Sequence, residues 1–326
     1  LTMSIFSLFK KSGPLDTPAH QLLLTKFEKG LNTIDFEGSL SYWQDVIDEP
    51  LPKVIKRWQK DNLIREASSE EALATLASGA KLKKMLSSAG LAVSGKKSIQ
   101  AHRLVENQVS EALALAASGN VYTLTETGVS QANEYRAKEK ERETVAIEES
   151  LAAFDASRLK DALATMQAYN QSLVFSPGLN VDWGNLDTPV WLNELSMIKQ
   201  AQPGILGSID HPLMNNIRRV AAISRLYSEK QAASYVTSKG VIPGFHLTEL
   251  ESARMLMFFA RNQSELTKLK QYKVCQYVEL ITSHQNACSA CEQVSGRAFK
   301  LAEIPEVPLP ACRCERGCML IVTPKR

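Results

Sequence analysis

The chain has no run approaching the roughly 18 uncharged apolar residues of a membrane-spanning helix, which argues against a transmembrane anchor. It has no cysteine before Cys275, and all six fall at 275, 288, 291, 312, 314 and 318. A secreted disulfide scaffold would spread its cysteines through a small domain, so concentration at one end favours metal chemistry instead. Gly-rich phosphate loops of the Walker or Rossmann type and a Gly-x-Ser-x-Gly elbow are missing, which leaves ATP-driven and serine-hydrolase chemistry unsupported. No repeat of solenoid period occurs. With 44% apolar and 22% charged residues, the composition fits neither a disordered nor a fibrous chain. A net charge of +3 is too mild to imply a polyanionic partner by itself, so only local clustering could do so.

The stretch Leu1 to Phe9, followed by Lys10-Lys11, places charge after apolar residues, the reverse of a secretory signal. These features predict a cytoplasmic protein with no membrane partner. Its 326 residues suggest several domains, mainly α in class. Residues 1–14 read as a flexible leader. Residues 15–145 read as an N-terminal helical domain, 146–270 as a helical middle domain, and 271–326 as a small cysteine-rich β domain. Pro52 suits the first turn of a helix carrying Val54, Ile55 and Trp58 on one face before Leu63-Ile64. Val121 to Leu124 is β-prone, and the turn Thr125 to Gly128 leads into a helix through the mixed-charge stretch 136–143. In the middle domain Ser176-Pro177-Gly178, Gln202-Pro203-Gly204 and Ile242-Pro243-Gly244 mark loops. The alternation at Val274, Gln276, Val278 and Leu280 marks a strand, and Met319 to Val322 a second.

Between Lys81 and Leu104 the acids vanish. Lys81, Lys83, Lys84, Lys96, Lys97 and Arg103 occur there without one Asp or Glu, which is +6 in 24 residues. Leu82, Met85 and Leu86 share a helix face, Gly90 stops that helix, and Leu91 with Val93 is expected to re-enter the core. Ile99 and Leu104 then line a second helix, with Ser94, Gly95, Lys96 and Lys97 at its start. Unpaired N–H groups and a partial positive charge at a helix N-terminus make such a place suitable for phosphate.

The string Leu82-Lys83, Gly90-Leu91, Ser94-Gly95-Lys96-Lys97 and Arg103-Leu104 resembles the SAP motif, a helical DNA-binding hairpin, over residues 79–108. The resemblance implies that Gly95, Lys96 and Lys97 meet the backbone or minor groove of double-stranded DNA, with Arg103 assisting and Lys81, Lys83 and Lys84 adding basic surface. His102 stands where the family commonly has an acid. The helix ending near Asn62, the Leu63-Ile64 strand and the later Thr125-x-x-Gly128 turn also resemble pieces of winged-helix proteins, with the hairpin inserted between them. A hairpin used only for protein contacts is the competing reading.

Cys288-Ser-Ala-Cys291 is a Cys-x-x-Cys pair, followed after 20 residues by Cys312, Cys314 and Cys318. Two thiolates two residues apart can reach one ion from a tight turn, and a second pair completes a tetrahedron. The expected ligands of a structural zinc are Cys288, Cys291, Cys312 and Cys318, with Cys314 as the replacement for Cys312 or Cys318. Cys275 reads as a small core residue on a strand, and His284 as a loop histidine within reach of the site. A thioredoxin-like pair lacks its βαβ setting here, and an iron–sulfur cluster shares the thiolates without further support. The tail, including Gly296-Arg-x-Phe299, Pro308-Leu-Pro310 and Cys312-Arg-Cys314, also resembles phage head-morphogenesis proteins and uncharacterised bacterial proteins that join a SAP-like motif to such a tail. It departs from the former at Ala311, where a histidine is usual.

The leading expectation is a non-catalytic protein that docks on duplex phosphate and is completed by a zinc-bearing tail. Protein partners or self-association would act through the middle domain. The alternatives are a metal-dependent nuclease drawing on Asp182, Asp187, Glu194, Glu249 or Glu251, with His211 or His246 in loops, and a phage-like structural protein. Trp183 and Trp191 are expected in the core.

Overall fold

The computed structural model describes residues 15, 17–175, 181–272, 275–282 and 286–325. The expected leader, the loop at 176–178, Val274 and His284 lie outside the described residues. The protein is mainly helical, with small antiparallel sheets and a cysteine cluster near its C-terminal end. Among the described residues no helix is long and apolar enough to cross a membrane. The chain divides into two compact units between Glu141 and Arg142.

In the first unit α1 (Pro18–Lys26) leads to β1 (Leu31–Asn32), α2 (Tyr42–Ile47) and α3 (Leu51–Lys60). Pro52 lies in the first turn of α3, where its missing N–H costs nothing, and Val54, Ile55 and Trp58 are buried along one face. Trp58 meets Phe27 edge-on, with ring centroids 5.8 Å apart. Then come β2 (Ile64–Glu66), α4 (Ser69–Leu76), α5 (Gly79–Ser88), α6 (Lys97–Glu106), α7 (Ser110–Ala117) and β3 (Val121–Leu124). The sheet has the order β1-β3-β2, with both pairs antiparallel and Ile64 opposite Leu124.

The four helices α4 to α7 therefore occupy the connection between two paired strands. They share a core of Leu73, Leu82, Met85, Leu86, Ala101, Leu104 and Ala112. Ser68 and Glu71 close a reciprocal capping box on α4, and Ser78 accepts from Lys81 N to cap α5. α8 (Glu126–Asp155) follows the turn in which Thr125 Oγ1 accepts from Gly128 N at 3.1 Å. Gly128 is needed for close approach, because a Cβ there would stand 2.0 Å from the carbonyl oxygen of Leu63. Along this helix Arg136 pairs with Glu28 at 2.6 Å and Lys138 with Glu134 at 2.6 Å, so part of the mixed-charge stretch is held in ion pairs.

The second unit contains α9 (Leu159–Gln171), α10 (Thr188–Gln200), α11 (His211–Leu226), α12 (Glu229–Ala232) and α13 (Glu249–Tyr272). β4 (Tyr277–Thr282), α14 (Ser289–Val294), β5 (Ala298–Lys300) and β6 (Leu320–Pro324) complete it in the sheet order β5-β4-β6. Trp183 and Trp191 are buried with centroids 5.3 Å apart, as core residues rather than a binding loop. One core runs from these helices to Val278, Leu280, Leu320, Val322 and the cysteines. The side chain of Asn262 stitches α13 to β6, donating to Leu320 O at 2.7 Å and accepting from Val322 N at 3.0 Å. Arg254, ion-paired with Glu229, donates to Arg316 O at 3.0 Å and so ties the cysteine-bearing loop to α13.

Candidate metal centre and basic surface

Cys288 is the residue before α14 and Cys291 lies in its first turn, so the helix start aims both sulfurs the same way. The returning loop brings Cys312 and Cys314 to them. The sulfurs of Cys288, Cys291, Cys312 and Cys314 all lie within 4.8 Å of one another, and these four cysteines can bind a metal ion. Four thiolates at metal–sulfur distances of about 2.3 Å in a tetrahedron have edges of about 3.8 Å. The Cys291–Cys312 and Cys291–Cys314 separations are 3.7 Å, and Cys288–Cys312 is 4.0 Å. Cys318 stands beside this set, with its sulfur 3.8 Å from that of Cys291.

The reserve residue Cys314 thus belongs to the compact foursome, while Cys318 is a fifth sulfur against it. Spacing alone does not separate the two, because both follow Cys312 within one loop. Backbone N–H groups also face the sulfurs, as expected where negative charge gathers. Arg313 N donates to Cys288 Sγ at 3.2 Å, and Cys288 N donates to Cys314 Sγ at 3.2 Å. Gly317 permits the last bend, with φ of +81° and a Cβ position only 3.0 Å from Glu251 O.

Five adjacent thiols cannot all ionise without a cation between them. Hydrogen bonding to Cys312 and Cys318, with burial, pushes the Cys291 thiol far up. Burial lifts Cys314 to about 12. Donation from Cys291 and Cys312 draws Cys318 down to about 3. Burial opposes ionisation of Cys288, but the N–H groups of Arg313 and Cys291 outweigh it and lower its pKa. A bound cation would take the place of the shared protons, so loading must release them. Cys275, expected on a strand, precedes β4 and is half-buried.

The acids considered for a nuclease are each engaged in the fold. Glu194 pairs with Arg225, whose guanidinium lies 3.2 Å over the Trp191 ring. Glu249 accepts from Thr237 N, Ser238 N and Asn216 Nδ2. Glu251 accepts from Thr248 N, Asp187 from Val190 N, and Asp182 from Gly184 N. His211 heads α11 beside Asn215, and His246 is half-buried in a loop, where burial followed by Arg313 keeps it below the ordinary histidine range. Among the described residues the cysteines are the only grouping of metal-ligand side chains.

In the first unit, Lys81, Lys83, Lys84, Lys96 and Lys97 are exposed. No ion pair involves any of these five among the described residues. Gly90 adopts φ of +68° just beyond α5, and Gly95 +109° just before α6. The loop between them is fixed from below. Gln100, itself buried, donates to Val93 O at 2.8 Å and Gly95 O at 3.0 Å, and Arg103 donates to Ala92 O and Ser94 O. Arg103 is therefore partly engaged in holding the loop.

Lys96 occupies the cap position of α6 without a side-chain capping bond, and the first helical bond runs from Gln100 N to Lys96 O. The N–H groups of Lys97, Ser98 and Ile99 thus have no acceptor among the described residues. Val93, expected in the core, is outside, and so is Ile99 of the second helix. Val93 is 43% exposed and Ile99 48%, because Gln100, Ala101 and Leu104 fill the inner face. His102, on another face, is bracketed by Glu70 at 2.9 Å and Glu106 at 3.6 Å, and the hydrogen bond to Glu70 raises its pKa. No protein-family profile, curated protein or solved structure matches this chain.

Proposed function

We propose that the protein docks on the phosphate backbone of double-stranded DNA through the SAP-like hairpin α5–α6, with a structural zinc ion completing the second unit. The carrying observation is the start of α6, where open N–H groups stand beside two unpaired lysines on a loop ordered by Gln100 and Arg103. Backbone N–H groups, helix polarity and lysine charge all favour an oxyanion there. Contacts of this type position a protein on a duplex without reading its bases, so sequence preference is weak and follows groove shape. Lys81, Lys83 and Lys84 extend the positive surface along α5, and Gly95 lets the backbone come close.

Fluorescence anisotropy tests this with A/T-rich and G/C-rich duplexes and a single strand, each at two salt concentrations. Wild type binds duplex with strong salt dependence. Lys96→Ala/Lys97→Ala weakens all duplexes about equally, by roughly tenfold, and lowers the slope of log K against log salt by about 2. Unchanged binding in that variant removes the assigned role.

For the metal, four thiolates at tetrahedral spacing favour zinc among the divalent ions. The set Cys288, Cys291, Cys312 and Cys314 is supported by its sulfur separations, with Cys318 as the adjacent fifth thiol. Elemental analysis should find close to one zinc per chain, lost in Cys291→Ser. A coloured iron protein, or a folded chain free of metal, contradicts this.

A further inference from the structure

Beside the cysteine loop lies an open cleft of about 410 Å³, walled by Ile205, Phe245 and Pro310 and edged by Ser208, His246 and Arg313. We propose that it binds a small carboxylate carried on an apolar body, such as an aromatic ring or a short hydrocarbon. The volume falls in the range of small-molecule sites, and Ile205, Phe245 and Pro310 give the open cleft an apolar wall beside a more polar remainder. Arg313 supplies the charge. Its Nη1 donates to Cys312 O at 2.8 Å, while its Nε and Nη2 have no partner among the described residues.

The cleft borders the cysteine loop, where Arg313 N donates to Cys288 Sγ at 3.2 Å, so a ligand carboxylate would share Arg313 with the neighbouring sulfurs. No acid lines the cleft among the described residues, and the nearby Glu306 is held by Gly204 N at 2.9 Å. Ser208 is exposed at the edge of the cleft. His246 leans on Phe245 with centroids 4.7 Å apart, and its Nε2 finds no hydrogen-bond partner among the described residues. A planar guanidinium fork matches the two oxygens of a carboxylate better than it matches a rounder anion. Phe245, Ile205 and Pro310 then receive the rest of the ligand.

The other task open to Arg313 is to neutralise the thiolates next to it in the chain, and the test separates the two. Isothermal titration calorimetry uses the full chain with its native metal, and phenylacetate, phenylacetamide and inorganic phosphate as probes. Phenylacetate should bind one per chain, with the amide and phosphate each at least about tenfold weaker. Arg313→Gln should weaken phenylacetate at least about tenfold while metal content and melting temperature stay as in wild type, and Arg313→Lys should recover only part of the loss. Absence of saturable heat up to about 10 mM phenylacetate overturns the proposal. So does equal binding of the amide or phosphate, or a variant that loses metal yet binds phenylacetate normally.

Discussion

The loop of the first unit and the loop of the second are held over different distances along the chain. Between α5 and α6, Gln100 and Arg103 reach carbonyls no more than 11 positions away. Around Cys312 to Cys318 the partners are remote: Cys288 is 24 positions from Cys312, Arg254 is 62 from Arg316, and Asn262 is 58 from Leu320. Closing the longer loop costs more chain entropy, though only about 0.6 kcal/mol per doubling of length, so both loops can be held by a few hydrogen bonds. The basic loop is thus held by its own neighbourhood, and the cysteine loop by residues of α13 and by cysteines that can bind a metal ion.

Removing a metal held by the four cysteines should have the largest effect. Structural zinc contributes an apparent free energy on the order of 10 kcal/mol in small domains, far more than one hydrogen bond. Chelation, or Cys291→Ser, should therefore abolish amide-exchange protection around α14 and the 309–318 loop, while protection along α6 stays as it was. Loss of protection in both places would contradict the local holding of the basic loop.

Glycine substitutions sharpen the same contrast at smaller scale. Gly128→Ala forces a methyl group onto the Leu63 carbonyl, 2.0 Å from the ideal Cβ position, and the backbone of β2 or α8 must give way. A loss of about 3 kcal/mol in the first unit, read from urea midpoints, is expected. Gly317→Ala meets backbone at 3.0 Å and a positive φ, so about 1–2 kcal/mol is expected there, together with weaker metal retention.

Local signals carried most of what the sequence revealed. Pro52 opening α3, Gly90 ending α5, strands at Ile64 and Val121–Leu124, and the convergence of the two cysteine groups all follow from spacing or residue type. Val93 misleads, since an apolar residue near a helix start is read as core. Here the inner place is taken by Gln100, a polar residue whose amide is satisfied by loop carbonyls and which no hydropathy pattern marks. The change of pattern at 271 marks where helix gives way to strand, yet it is silent on packing: Asn262 and Arg254 join that helix to the tail through carbonyls that any sequence would offer. The choice between Cys314 and Cys318 likewise depends on the loop's three-dimensional path.

Acid provides the finest comparison. In the second unit, a metal held by thiolates would be displaced as falling pH returns protons to the sulfurs, so metal retention should weaken in acid. In the first unit the corresponding group is Glu71, whose pKa is lowered chiefly by its hydrogen bonds from Arg65, at 2.8 Å to each oxygen. A carboxyl with a lowered folded pKa stabilises the fold above its unfolded value, and that contribution disappears as pH falls through the folded one. The pair is about half exposed, so solvent screening limits it to about 0.5 kcal/mol. Glu71→Gln should therefore lower the first unit's stability by about that amount at pH 7, and the difference from wild type should shrink as pH falls through the lowered folded value and vanish below it. A difference that persists in acid would mean that the capping contact to Ser68, rather than the charge, carries the effect.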